Sequence, residues 1–471
     1  MIHAPRLVPR ALVALLCVLS AAACAPGGAP GAGPGPENEP LEAMAWDSAS
    51  DADAIAAWAL RGCRRGSVNA RRDCVERALG SVIDPAGIGR AMAALDRIAA
   101  RDVAMLRESH GLAHGLGIAA YRSPETVAAT FAACPATQIA GCYHGVIQGY
   151  FLDMAKKGGV GAAEMNALCE PHRGKGSLFF QCTHGMGHGL MAMLDNHVPA
   201  SLDQCDLITA PAARDSCYGG VFMENIVAAT HPEHTAHSHA AVADSRKPAA
   251  EHAGHGAQSA GHEGHGAEGG HGDHHAAEGE HAGHAMGGAA ARAPWKALDS
   301  ADPLYPCTVV GEKYLLQCYL IQTAAILAAN GGDFAKTATE CTRAPERYVS
   351  TCWNSLGRDI TAFGERNPEK TAALCARVGA AAELDCVRGA AATLVDTSSD
   401  PADGFAFCRA VAGAATKAAC YGRVGGTLVT IVGDTARREQ LCAAVEADHV
   451  AACRRGAGLP PREPQPARAT N

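Results

Sequence analysis

The cysteines recur at a nearly constant spacing along the chain. Of the 20 cysteines, all except Cys17 and Cys24 fall into close pairs, and from Cys318 onward the second members advance by 34, 34, 34 and 33 residues. A period near 34 that coincides with Ala-rich segments of helical periodicity is typical of a two-helix solenoid. The sequence therefore predicts an all-α fold, a solenoid of helical hairpins of about 34 residues.

Within each pair, the first cysteine is predicted to end one helix and the second to open the next. A disulfide there would clamp the turn and stabilise the repeat by roughly 2–3 kcal/mol. The absence of any CxxC motif excludes haem attachment, thioredoxin chemistry and ordinary zinc ribbons. Proximity favours the following pairs, although spacing alone does not fix the connectivity: Cys63–Cys74, Cys134–Cys142, Cys169–Cys182, Cys205–Cys217, Cys307–Cys318, Cys341–Cys352, Cys375–Cys386, Cys408–Cys420 and Cys442–Cys453.

The repeat period resembles that of tetratricopeptide repeats. The paired cysteines are also similar to those of the disulfide-bridged helical repeats in bacterial cysteine-rich repeat proteins. The tetratricopeptide aromatic residues are absent, and the cysteine spacing is wider than in the cysteine-rich proteins. The resemblance therefore implies an architecture and no function.

Residues 1–23 are typical of a secretory signal, with Arg6 and Arg10 before a short apolar run. The small residues before Cys24 resemble a bacterial lipobox, in which the cysteine carries the lipid. Ala21 stands where lipoproteins usually have leucine, so ordinary cleavage before Cys24 and secretion is the alternative. We expect a cell-envelope lipoprotein of the outer membrane, facing the periplasm or the cell surface and touching the membrane through its lipid alone.

Composition and charge divide the rest of the chain. The formal net charge of -8 argues against a nucleic-acid partner. A protein partner is expected on the C-terminal repeats, where Asn354, Arg358, Asp359 and Arg388 are candidate contacts. The predicted segments are a Gly/Pro-rich tether at 24–45, N-terminal repeats at 46–229, a disordered His-rich insertion at 230–298, C-terminal repeats at 299–458 and a disordered tail at 459–471.

Histidine is concentrated in one stretch. Thirteen of the 22 histidines lie between His231 and His284, among Gly, Ala and Glu and almost no large apolar residue. Such a tract cannot build a core, and it either buffers metal weakly or is a low-complexity expansion without function. The histidines assigned to weak buffering are His252, His255, His262, His265, His271, His274, His275, His281 and His284.

A second set of histidines is in register with the repeats. Two positions after the second cysteine of a repeat, or its equivalent, stand His110, His144 and His184. Four residues further stand His114, Gln148 and His188. Positions i and i+4 share one helix face, so five imidazoles should converge where these helices stack. The sequence predicts a site for one or two ions of copper, zinc or iron, with Gln148 and Glu224 as possible further ligands.

The C-terminal repeats show that the fold itself does not require these histidines, because Leu320, Asn354 and Arg388 occupy the equivalent position. We expect metal handling or storage. One alternative is a metal-dependent enzyme, redox or hydrolytic, with Glu224 as candidate base. Another is an interaction scaffold with structural histidines.

The in-register residues form two columns, His110, His144 and His184 in one and His114, Gln148 and His188 in the other. Glycine follows each of these six residues, which implies either close helix packing or room beside the imidazoles. The six glycines are Gly111, Gly115, Gly145, Gly149, Gly185 and Gly189. Outside the columns, His172, His197 and His449 are predicted to be surface or capping residues.

Overall fold

The computed structural model describes residue 41 and residues 44–245 and 295–461. Helices make up the regular structure of these residues, which confirms the predicted all-α class. Cys24 and the histidines from His252 to His284 lie outside the described residues. Of the helices in the described part, none combines the length and the apolar character required to cross a membrane.

The helices fall on either side of the undescribed residues 246–294. The first set comprises α1 (Ala52–Gly62), α2 (Val68–Ala86), α3 (Ile88–Arg101), α4 (Val103–Ala120), α5 (Val127–Ala133), α6 (Gly141–Lys156), α7 (Ala162–Ala167), α8 (Ser177–Met193), α9 (Val198–Cys205), α10 (Pro211–Thr230) and α11 (Ala236–Asp244). The second set comprises α12 (Leu315–Tyr319), α13 (Thr323–Ala329), α14 (Phe334–Cys341), α15 (Glu346–Phe363), α16 (Pro368–Cys375), α17 (Glu383–Ser398), α18 (Pro401–Ala410), α19 (Ala414–Ile431), α20 (Thr435–Ala443) and α21 (Val450–Gly456).

Disulfides clamp the helical hairpins as expected. Cys205 at the end of α9, for example, is bonded to Cys217 in α10. All nine pairs favoured by the spacing are present, and each closes a short loop of 8 to 13 residues in sequence separation. The solenoid of disulfide-clamped hairpins is thus confirmed.

Short polar residues set where many helices begin. Asp102, Asp333, Asn367, Asp400 and Asp434 each stand at the N-cap and accept a hydrogen bond from a backbone N–H of the first turn. Those N–H groups have no partner inside the helix, so the cap satisfies them and fixes the first residue of the helix.

Within each set, the helices that carry the second half of each hairpin contact one another in succession, and we call them the inner helices: α4, α6, α8 and α10, then α15, α17, α19 and α21. Reciprocal glycines bring pairs of these helices together. A Cβ on Gly145 in α6 would overlap the carbonyl oxygen of His114 in α4, and one on Gly117 would overlap that of Cys142. Glycine inside a helix costs about 1 kcal/mol relative to alanine, which the close approach of two backbones offsets. The same arrangement occurs at Gly187 with Gly220, Gly357 with Gly389, and Gly425 with Gly456.

The structure corrects both predicted boundaries of the insertion. At its end, residues 295–298 were expected to be disordered, yet Trp295 donates to Asn225 Oδ1 in α10 at 3.1 Å and Leu298 packs against the hydrophobic core.

The insertion was expected to be disordered from residue 230, yet α11 follows a 3-10 turn at Pro232–His234 and contacts α2, α4 and α6. Thr235 caps α11, and Ala236 and His239 are buried. Composition predicted disorder because the segment has few large apolar residues. It is held instead by polar contacts with distant helices and by packing of Ala236 and Ala240 against Ile118, Leu152 and Ala192.

The two sets of repeats also touch beyond nearest neighbours. The backbone N–H of Gln138, before α6, donates to the carbonyl of Thr397 in α17 at 2.8 Å. Arg366, between α15 and α16, donates to Ser109 Oγ and to Gln138 Oε1, both at 3.0 Å. The superhelix thus returns the α15–α17 region to the helices that carry the histidine columns.

Candidate metal centre

Five histidines from three consecutive inner helices meet at one place, which we call the histidine centre. α4 supplies His110 and His114, α6 supplies His144, and α8 supplies His184 and His188. His110 and His114 lie one helical turn apart, and their ring centroids are 4.7 Å apart. His144 lies between the pairs, with ring centroids 5.2 Å from His114 and 5.1 Å from His188.

The centre contains two groups of three that could hold a metal ion. In each group, the ligand atoms all lie within 4.8 Å of one another. The first group is His110, His114 and His144, and the second is His144, His184 and His188. His144 belongs to both groups, so the two groups form one continuous cluster.

Burial keeps these imidazoles neutral. Removal from water lowers the pKa of His110 to about 4 and that of His188 to about 3. Burial, reinforced by neighbouring imidazoles, also holds the pKa values of His114, His144 and His184 well below the usual range. Neutral imidazole is the form that binds a metal, so the cluster is in its ligand form at neutral pH.

One nitrogen of each ring forms a hydrogen bond with another residue of the protein. His114 Nδ1 donates to Gln148 Oε1 at 2.8 Å, and His144 Nε2 donates to Gln181 Oε1 at 2.8 Å. The remaining three use Nδ1, with His110 on the carbonyl of Gln138 at 2.8 Å, His184 on the carbonyl of Ser216 at 3.2 Å and His188 on Glu224 Oε2 at 2.8 Å.

The opposite ring nitrogens face the cluster. His114 Nε2, His144 Nδ1 and His188 Nε2 are buried and have no hydrogen-bond partner among the described residues. An unpartnered buried polar atom costs about 1–3 kcal/mol, so three in one place require an explanation. Metal-binding histidines characteristically donate one ring N–H to a carbonyl or carboxylate and leave the other nitrogen for the ion.

Gln148 and Glu224, expected as possible further ligands, lie behind the histidines. Gln148 accepts from His114 and donates through Nε2 to Glu224 Oε2 at 3.3 Å. Glu224 is absent from both groups of three, and one proton lies between its Oε2 and His188 Nδ1. Burial raises the pKa of Glu224 to about 8. These contacts make both residues positioning groups that orient His114 and His188.

Gln138 is a functional residue that the sequence analysis missed. Gln138, Ile139 and Ala140 have φ values of 56°, 52° and 60°, a run of left-handed conformations without glycine. This conformation costs roughly 1–2 kcal/mol per residue. The turn presents the Gln138 carbonyl to His110 and opens α6, and no Gly or Asn in the sequence marks it.

The glycines beside the histidines serve different neighbours. Gly145 allows the close approach of α4 and α6, and Gly185 lies against Ile147. Gly149 and Gly189 make room for the rings of Tyr121 and Phe151. The space beside Gly111 and Gly115 is filled by side chains from α2 and from the segment before and within α11. Of the six glycines, Gly145 alone is nearest to a neighbouring backbone, and at the other five the space is filled by protein side chains.

A cavity of about 170 Å³ reaches the histidine centre. Its inner wall includes His110, His114 and His188, and its outer wall includes His231 and His234. Sequence analysis assigned His231 and His234 to the insertion and did not connect them with the centre. Their position shows that the first part of the His-rich stretch adjoins the site.

The remaining histidines divide into different environments. His197 accepts a hydrogen bond from the backbone N–H of Ala200 and caps α9, as predicted. His172 was expected to be a surface or capping residue, but it is buried, with its ring centroid 4.5 Å from that of Phe131. It lies three residues after Cys169, which is bonded to Cys182. His449 stacks on Tyr421 at 5.2 Å.

The C-terminal residues considered for partner contacts make internal contacts. Arg358 donates to the carbonyls of Leu320 and Ile321 and pairs with Asp359 at 2.6 Å. Arg388 pairs with Asp385 at 3.1 Å. Partner binding on these repeats stays a prediction.

Comparison with known proteins adds no relative: no family model, curated protein or solved structure matches the chain.

Proposed function

We propose that this protein binds a transition-metal ion at the histidine centre and serves in metal handling or storage. The observation that carries the proposal is a cluster of five imidazoles, each anchored through one nitrogen, in which His114, His144 and His188 each have a buried nitrogen without a partner among the described residues. His144 has a single ring nitrogen, Nδ1, without a partner among the described residues, so the two groups of three compete for this one nitrogen. One tightly held ion is therefore favoured over two.

Imidazole nitrogen suits copper, zinc and iron, whereas calcium and magnesium prefer oxygen ligands. The ring separations support sharing of an ion: with metal–nitrogen bonds of about 2 Å, two imidazoles on one tetrahedral ion have centroids about 5 Å apart. The His114–His144 and His184–His188 separations are 5.2 and 5.0 Å.

We further propose that the protein is exported and anchored through Cys24. Nine disulfides support an oxidising compartment, since such bonds are rare in reducing cytosol. The signal-like residues 1–23 and the lipobox-like Cys24 support the same location.

The test is elemental analysis of the full chain with the nine histidines from His252 to His284 replaced by glutamine, which we call the nine-Gln parent. This background removes nonspecific binding and keeps α11. We expect about one equivalent of copper, zinc or iron in the parent, and loss of that metal in His144→Gln, because His144 serves both groups of three.

His449→Gln is the matched control, because His449 lies against Tyr421 in the C-terminal repeats. It should retain the metal. A folded parent that holds no tight metal after reloading, or a His144→Gln variant that holds as much as the parent, would refute the proposal.

A metal-dependent enzyme is the second candidate function. The cavity of about 170 Å³ beside His110, His114 and His188 favours it, since a small substrate could approach a bound ion there. Turnover that disappears with the metal in His144→Gln would establish this candidate over storage.

A further inference from the structure

The chain folds back over the histidine centre directly after α10. We call residues 231–244, which include the 3-10 turn and α11, the cover segment. His234 Nε2 is bonded to Glu108 Oε2 of α4 at 2.8 Å, and His239 Nδ1 is bonded to Glu76 Oε2 of α2 at 2.8 Å. Two carboxylates therefore hold two imidazoles of the cover segment in fixed orientations.

The opposite nitrogens of these rings repeat the pattern of the centre. His234 Nδ1 and His239 Nε2 are buried and have no hydrogen-bond partner among the described residues. The ring centroids are 5.6 Å apart, close to the separations within the histidine centre. His239 is only 1% exposed, so its unpartnered nitrogen is costly unless it acquires a partner.

The backbone of α4 makes space for this second pair. A Cβ on Gly111 would overlap the ring of His234, whose unpartnered Nδ1 lies against α4 at this glycine. A Cβ on Gly115 would overlap the carboxylate of Glu76 and lie 2.7 Å from His239 Nδ1. These glycines directly follow His110 and His114 in sequence. The same helix thus supplies ligand-type nitrogens to the centre and room for the second pair.

The cavity links one member of the second pair, His234, to the centre. His234 lines it together with His110, His114 and His188, and His231 stands at its outer wall. The His231 side chain is 64% exposed, and its ring centroid is 6.1 Å from that of His234. Imidazoles therefore continue from solvent, through the cover segment, to the buried cluster.

We propose that His234 and His239, the outer pair, form a second position for a divalent transition-metal ion, through which ions pass between solvent and the histidine centre. The inference rests in part on the proposed function, because transfer requires a centre that binds metal. Binding at the outer pair itself does not depend on the centre. Glu108 and Glu76 orient the outer pair as Glu224 orients His188.

The experiment uses Co²⁺ alone as the probe, added to the metal-free nine-Gln parent and to His234→Gln/His239→Gln in the same background. Visible absorption follows the rate at which ions reach nitrogen ligands, and equilibrium titration counts bound ions. The parent should bind two Co²⁺ ions at equilibrium, one tightly in the centre and one more weakly at the outer pair, whereas the outer-pair variant should bind only the ion of the centre. It should also fill the centre about tenfold more slowly, a factor at the lower end of the roughly 10–100-fold losses in affinity or activity that follow mutation of groups supporting a metal ligand.

His237→Gln is the matched control, since His237 lies on α11 but is bonded to the carbonyl of Ala192. It should behave as the parent does. An outer-pair variant with the parent's rate and ion count would overturn the inference. His234→Gln alone, at a partly exposed site, provides the same comparison if the double variant folds poorly.

A further variant, His144→Gln, separates this inference from the proposed function. If it binds as many ions as the parent, the histidine centre binds none and the proposed function fails. The outer pair is then judged by whether His234→Gln/His239→Gln removes an ion from the parent's count.

Discussion

At the residue scale, the chemistry of the centre depends on which nitrogen each ring leaves unpartnered. His144 is anchored through Nε2, whereas the other four rings are anchored through Nδ1. The column pattern placed the rings side by side but contained no information about their anchors. Gln181 and Ser216 come from positions that no histidine motif includes, so only the packed helices reveal them.

The first prediction at this scale concerns the stability of the metal-free protein against acid. The folded pKa of His110, about 4, lies below its unfolded value of about 6.5, so the unfolded chain takes up the proton first. The free energy of unfolding is therefore at its full value above pH ~6.5, and it decreases as the pH falls towards 4. His110 alone should account for about 3 kcal/mol over that window.

Denaturant unfolding in the presence of a chelator, from pH 7.5 down to 4.5, measures this loss. His110→Gln should flatten the dependence of the unfolding free energy on pH, whereas the exposed His237→Gln should leave it unchanged. An unchanged pH dependence in His110→Gln would show that burial of this ring does not govern its protonation.

At the element scale, reciprocal glycines decide how closely successive inner helices approach, and hence how far apart the histidine columns stand. α4 and α6 meet at Gly117 and Gly145. Gly145 directly follows His144 in the sequence, and Gly117 lies about one helical turn after His114. The disulfides fix the hairpin turns, but the glycines fix the spacing between hairpins. Disulfides and close glycine contacts hold the helices together in a chain that has few large aromatic side chains to bury, since only 5% of its residues are aromatic.

The prediction for the elements is that Gly145→Ala destabilises the protein by about 2–3 kcal/mol, because the new methyl group would overlap the His114 carbonyl. The gain in helix propensity, about 1 kcal/mol, is too small to compensate. Thermal unfolding measures the loss, and metal content should fall with it as α4 and α6 separate. Gly433→Ala, where a Cβ meets open space, is the control. Equal stability of the two variants would contradict this packing argument.

At the scale of the whole molecule, the chain is more than a series of neighbouring repeats. Arg366 is half-buried and donates to Ser109 and Gln138, and the Gln138 carbonyl anchors His110. Asp96 accepts from Gln138 Nε2 at 2.6 Å in the same network. The C-terminal repeats therefore support the first histidine of the centre from across the superhelix.

The prediction at this scale is that Arg366→Ala lowers the free energy of unfolding by about 2 kcal/mol, since two hydrogen bonds from a charged group are lost. Denaturant unfolding should also broaden as the two sets of repeats uncouple. Arg377→Ala, at an exposed position between α16 and α17, should change neither property. A sharp transition with the parent's midpoint in Arg366→Ala would contradict a coupling role.

The repeat period, the disulfide pairs and the convergence of five histidines could be read from the sequence alone. They follow from local geometry: a helix places i and i+4 on one face, and a fixed period carries that face from one repeat to the next. Tertiary structure alone decided that Gln148 and Glu224 lie behind the ligand-type nitrogens, that His172 is buried, and that the cover segment folds over α4. The decisive contacts join residues far apart in sequence, with separations of 126 for Glu108–His234, 163 for Glu76–His239 and 228 for Gln138–Arg366. Such contacts depend on how the superhelix curves over many repeats, and no single repeat encodes that curvature.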